Sequence, residues 1–88
     1  MQIIWDNEKN RKLILERGFS LEKFAELIFE KKYCAVLKNP SRTEQRIFII
    51  PFQDYTYVVP FVIDAEQNII LKTAFPSRKY HKTYGGKK

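Results

Sequence analysis

The order of apolar periods along the chain predicts an α+β fold: two N-terminal helices packed on an antiparallel β-sheet of three to five strands. Three observations carry this expectation. Two capped segments of helical character precede residue 33, the rest reads as strand and turn, and 88 residues hold one core. Residues 1–84 are expected to form that single domain, and 85–88 a flexible basic tail.

Ile3, Ile4 and Trp5 form a short apolar lead. Asp6 follows as a helix N-cap whose carboxylate accepts N–H bonds of the first turn, and Glu8 adds negative charge at the positive end of the dipole. The helix runs to about Arg17, where Gly18 supplies a left-handed stop. Its apolar content is thin. Leu13, Ile14 and Leu15 stand against Lys9, Arg11, Lys12, Glu16 and Arg17, so one side is wet and largely basic. Ser20 caps a second helix, with Phe19 and Phe24 at the spacing of a hydrophobic staple. Leu21, Phe24, Ala25 and Ile28 recur at i, i+3, i+4 and i+7, a core-facing stripe, and this helix ends near Lys32.

Strands follow. Tyr33 to Leu37 is the first, closed by the turn cluster Asn39-Pro40-Ser41. Arg46 to Phe52 and Tyr55 to Ile63 form a hairpin across Gln53-Asp54, a two-residue link without the favoured Asn-Gly chemistry. After a polar loop from Asp64 to Asn68, Ile69 to Phe75 completes a meander. Pro51 and Pro60 cannot donate to a ladder and belong at bulges, ends or edges. Pro76 stops the last strand, and Ser77 to Tyr84 is either a short basic helix or extended.

Several function classes drop out. One cysteine, Cys34, and one histidine, His81, exclude a disulfide or a Cys/His zinc site. Cys34, in an apolar stretch, reads as a buried structural thiol. Glu22, Glu26 and Glu30 line one solvated helix face, and Asp54, Asp64 and Glu66 fall in turns, so no clustered acids point to two-metal nuclease chemistry. No cofactor motif appears. No apolar run approaches the roughly 20 residues of a membrane helix, and no signal-peptide core follows Met1, so a cytoplasmic address without membrane contact is expected.

Charge supplies the functional clue. Up to Leu71 ten basic residues balance ten acidic ones; from Lys72 onward there are six basic residues and no acid. The whole net charge of +6 therefore lies in the last seventeen residues, where Phe75, Tyr80 and Tyr84 are interleaved. Such an end suits a polyanion or an acidic protein partner.

Two motifs carry a resemblance. Trp5-Asp6, Lys9, Leu13, Gly18, Ser20 and Glu22 give W-D-x-x-K-x-x-x-L-x-x-x-x-G-x-S-x-E, and Ile70 to Lys79 reads ILKTAFPSRK. Together they resemble the N-terminal signature and the last strand of BrnT-type toxins, small ribonucleases of RelE-like fold. The chain departs from that pattern at Arg17, where members often carry His, at Ser77, where they usually carry Ala, and in its basic rather than acidic end. The resemblance implies an RNA-cleaving toxin of a toxin–antitoxin pair. It also implies a cognate antitoxin, often a DNA-binding ribbon-helix-helix protein, through which alone the toxin meets operator DNA.

Metal-independent RNA cleavage must deprotonate the 2′-hydroxyl, neutralise the pentavalent phosphate and protonate the leaving 5′-oxygen. Arg78, matching the family's post-strand arginine, is the first candidate catalytic residue, because a guanidinium binds phosphate oxygens bidentately and stays charged. Lys9, matching the W-D-x-x-K lysine, is the second, and His81 the natural acid–base group. Lys79, Arg46, Lys12 and Lys72 are candidate RNA-binding cations, with Arg42 beside Arg46 at the start of the hairpin. Tyr84 is a candidate stacking platform for a splayed base. The residues leave two other readings open: a non-catalytic nucleic-acid-binding module and a protein-interaction module, each using the basic C-terminal face.

Overall fold

The protein is described by a computed structural model covering residues 2–85. Strand β1 (Ile3–Trp5) leads into helices α1 (Asn7–Arg17) and α2 (Leu21–Phe29), then strands β2 (Ala35–Lys38), β3 (Arg46–Phe52), β4 (Tyr55–Ile63), β5 (Ile69–Leu71) and β6 (Phe75–Pro76). A short helix α3 (Arg78–Tyr80) and a π-helical turn (His81–Gly85) close the chain. Residues 86–88 of the expected tail lie outside the described residues, and Gly85 is the last residue of the π-helical turn.

The caps work as the sequence predicts. Asp6 accepts the N–H groups of Glu8 and Lys9, Gly18 sits at φ 81°, and Ser20 accepts the N–H of Lys23. Phe19 and Phe24 meet edge to face at 5.3 Å, which completes the staple. Asn10 Oδ1 accepts the Leu21 N–H at 2.7 Å and ties the two helices together. Helix α2 stops at Phe29 rather than near Lys32. The Lys32 N–H donates to Leu27 and the Lys31 N–H to Ile28, with Lys31 at φ 59°. This is a Schellman ending with lysine where glycine is usual.

The sheet is mixed, in the order β1-β5-β4-β3-β2, with β6 also on β4. This departs from the antiparallel sheet of three to five strands expected. β1 runs parallel to β5, held by the Ile69 N–H on the Gln2 carbonyl and the Gln2 N–H on Asn68 Oδ1. β5 and β6 are two pieces of one strand path along β4. Leu71 pairs with Phe61 and Phe75 with Val58, so three residues, Lys72 to Ala74, face only Val59 and Pro60. Pro60 lacks the N–H that a regular ladder would use there, and the Lys72 N–H donates to its carbonyl at 2.9 Å. Pro51 stands past the last β2 pair, where no partner needs its N–H. The β3–β4 hairpin turns through Gln53 (φ 53°) and Asp54 (φ 61°), the left-handed pair of a type I′ turn, without Asn-Gly.

Both faces of the sheet are covered, which is why Ile47 to Ile50 is an unbroken apolar run. Helices α1 and α2 lay Leu13, Leu21, Phe24 and Ile28 on Phe48, Ile50, Val59 and Phe61. Each such ring or branched side chain stabilises by roughly 1.5–3 kcal/mol on burial. The opposite face, Ile47, Ile49 and Val58, takes Tyr80 and Tyr84 from the C-terminal turns. The segment Ser77 to Tyr84 is therefore helical and docked. Cys34 is exposed, not buried: it shares the alternation of Val36 and Lys38 on the outward side of edge strand β2, with its N–H on Ile49.

A cationic cleft beside helix α1

Helix α1 buries only Leu13, so the rest of its surface is free to line something else. Lys9, Lys12 and Glu16, at i, i+3 and i+7, stand on one stripe and form one wall of a cleft of about 590 Å³. Lys72 and Phe75 contribute from the β5–β6 path and Arg42 from the β2–β3 loop. Four cations and one carboxylate thus meet from three separate parts of the chain.

Local structure explains each placement. The Asp6 cap starts α1 so that Lys9 falls in its first turn. The bulge opposite Pro60 interrupts the ladder at Lys72, and a bulge of this kind re-aims the side chain it carries. The loop holding Arg42 is tied down by hydrogen bonds: the Gln45 N–H reaches the Arg42 carbonyl, and Asn39 bonds buried Gln45 through backbone and side chain, the latter at 3.1 Å. Ser41 N–H closes an Asx turn on Asn39 Oδ1 at 2.9 Å.

The remaining sequence candidates lie elsewhere. Arg78 opens α3, exposed, and does not line the cleft. Lys79 places its ammonium 5.2 Å from the centroid of the Tyr80 ring. Arg46 pairs across the sheet with Lys38 and Phe61, beside a smaller cavity lined by Glu44. Tyr84 is half-buried against Ile47, Ile49 and Val58. His81 belongs to a second cleft of about 490 Å³ at the hairpin tip, with Gln53, Asp54 and Tyr55. Its Nδ1 lies 2.9 Å from Thr56 Oγ1, and its ring stacks on Tyr55 at 4.1 Å. Sequence reasoning thus finds Lys9, Lys12, Arg42 and Lys72 of the cleft and passes over Glu16, whose spacing from Lys9 and Lys12 is the signal that marks it. Among the described residues no group of three or more His, Cys, Asp or Glu is placed to hold a metal ion.

No family model and no curated protein matches the chain. Among solved structures, the 1.1 Å crystal structure of the Brucella abortus ribonuclease toxin BrnT aligns with a TM-score of 0.64 at 23% identity, over 88% of this chain and 96% of that one. The chain has the BrnT fold. That agrees with the resemblance carried by Trp5-Asp6 and by Ile70 to Lys79, and with the α+β class expected from the apolar periods. In this version of the BrnT fold the cationic cleft joins α1 to the end of the sheet, and no helix among the described residues is long and apolar enough to cross a membrane.

Proposed function

We propose that the protein is the toxin of a type II toxin–antitoxin pair, an endoribonuclease that cleaves RNA without a metal ion. The convergence of Lys9, Lys12, Arg42 and Lys72 in one cleft carries the reading, and the fold shared with a ribonuclease toxin supports it. In this reading the RNA backbone enters the cleft and Arg42 and Lys72 hold the scissile phosphate. Lys9 and Lys12 neutralise charge as it develops. Arg78, Lys79 and Arg46 act outside the cleft, on neighbouring phosphates. His81 and Tyr84 anchor the C-terminal turns to the sheet. A cognate antitoxin, of the DNA-binding ribbon-helix-helix kind, covers the active surface and alone connects the toxin to operator DNA; Leu15 and Phe29, each 80% exposed, are apolar contacts available to it. The setting of the reaction is the cytoplasm.

The test is induced expression in a bacterium, following growth and RNA integrity, with the wild type, a Lys9→Ala/Lys12→Ala double variant and Arg78→Ala. The expected result is growth arrest with RNA cleavage, unaffected by EDTA in the purified protein and relieved by the double variant. Relief by Arg78→Ala instead would move the site to the C-terminal turn. A second reading, RNA binding without cleavage, draws on the position of the one histidine outside the cleft. Intact RNA and normal growth with a folded, RNA-binding product would select it.

A further inference from the structure

We infer that Glu16 is the general base of the cleft, the group that takes the 2′-hydroxyl proton; this rests on the ribonuclease reading above. The cleft needs a proton acceptor, and its lining offers one candidate of the right kind. His81, the usual choice, lies in the hairpin cleft with Nδ1 engaged by Thr56. Lysine and arginine in their charged forms cannot accept a proton. Among the lining residues Glu16 is the one carboxylate, on the same stripe of α1 as Lys9 and Lys12.

Its isolation matters as much as its position. Among the described residues the one ion pair within 4.0 Å is Lys23–Glu26, so no lysine or arginine closes on Glu16. Among the described residues its oxygens take part in no side-chain hydrogen bond, with backbone N–H or with another side chain. A cleft built only to bind phosphate would gain nothing from a carboxylate, which repels the backbone it serves. A cleft that cleaves RNA needs a proton acceptor, and a carboxylate can serve as one.

The step balances as a transesterification. Glu16 removes the proton from the 2′-oxygen, which forms a bond to phosphorus as the bond from phosphorus to the 5′-oxygen breaks. Arg42 and Lys72 stabilise the phosphorane, and a lysine ammonium of the cleft gives its proton to the departing 5′-oxygen. The products are a 2′,3′-cyclic phosphate end and a 5′-hydroxyl end. Solvent then returns Glu16 to its carboxylate form and the lysine to its ammonium form.

The experiment compares wild type with Glu16→Gln and Glu16→Asp, on an RNA oligonucleotide for single-turnover cleavage and on its 2′-O-methyl counterpart for binding. General-base catalysis contributes about 10²–10⁴-fold, so Glu16→Gln should slow cleavage by about that factor. It should at the same time bind the 2′-O-methyl RNA at least as tightly, since a negative charge has been removed. Glu16→Asp should recover part of the rate. Full cleavage by a folded Glu16→Gln protein overturns the assignment and leaves the ribonuclease reading standing. Weaker binding in step with slower cleavage overturns it in favour of a positioning role. Absence of cleavage by the wild type, with binding retained, overturns both.

Discussion

Replacing Lys72 by alanine should change the salt dependence of RNA binding by an amount the cleft itself sets. Four cations line it, and each phosphate neutralised on a single strand adds about −0.7 to the slope of log K against log salt. With all four engaged the cleft contributes about −2.8 to the slope, a loss of roughly 50-fold in affinity between 50 and 200 mM salt. Lys72→Ala removes one contact and brings that contribution to about −2.1. Lys23→Ala is the control, because that side chain pairs with Glu26 on α2, away from the cleft. The assay is fluorescence anisotropy with a labelled 2′-O-methyl oligonucleotide, which binds without being cut, over a salt series. Equal slopes for wild type and Lys72→Ala, with a reduced slope for Lys79→Ala, would refute the cleft as the binding surface and return it to the C-terminal turn.

Three further outcomes follow from local geometry. Lys31→Gly should raise stability by up to about 1 kcal/mol in urea denaturation, since lysine at φ 59° bears a left-handed strain that glycine relieves, less glycine's extra chain entropy. Gly85→Ala should cost about 1–3 kcal/mol by the same measurement, because a Cβ there collides with His81 Nδ1 and Thr56 Oγ1 and breaks the bond of a buried hydroxyl. Asp64 is held below its ordinary value by the Asn68 backbone N–H first, then by the Asn68 side chain and the Glu66 N–H, against partial desolvation. A depressed carboxyl stabilises the fold above its unfolded-state pKa and loses that contribution as pH falls through the folded one. The wild type should therefore lose stability relative to Asp64→Asn in that acid range, and not near neutrality.

Helices were the most legible part of the fold, because their signals are local. Asp6, Gly18, Ser20 and the Phe19–Phe24 pair each act within one turn, and all do so in the structure. The end of α2 was less legible: a left-handed ending without glycine leaves no mark in the sequence, and Lys31 is an ordinary lysine until its φ is known. The parallel pairing of β1 with β5 was illegible for a different reason. It joins residues some 66 positions apart through a Gln2–Asn68 contact that no periodicity announces. Pro60 lay between these cases, since its missing N–H predicts a bulge or an edge but not which neighbour bulges.

The candidate site shows the same division. Lys9, Lys12 and Glu16 share a helical stripe that is readable from spacing, and the poverty of apolar residues on α1 says that the stripe faces something other than the core. What spacing does not say is what stands opposite. Lys72 arrives there because Pro60 forces an extra residue into the strand path beside it, and Arg42 because Asn39 and Gln45 fasten its loop. The C-terminal charge excess divides between two faces of the sheet, with Lys72 in the cleft. Arg78, Lys79 and His81 are close in sequence to Lys72, yet the chain crosses to the opposite face of the sheet after β6, where Tyr80 and Tyr84 cover Ile47, Ile49 and Val58. Two tyrosines supply the apolar area that seats this segment on that face, while the cleft draws its charge from α1, the β2–β3 loop and Lys72. Removing that area by Tyr80→Ala and Tyr84→Ala together should loosen the segment and leave binding in the cleft intact, if the two surfaces are as separate as their placement in the sheet makes them.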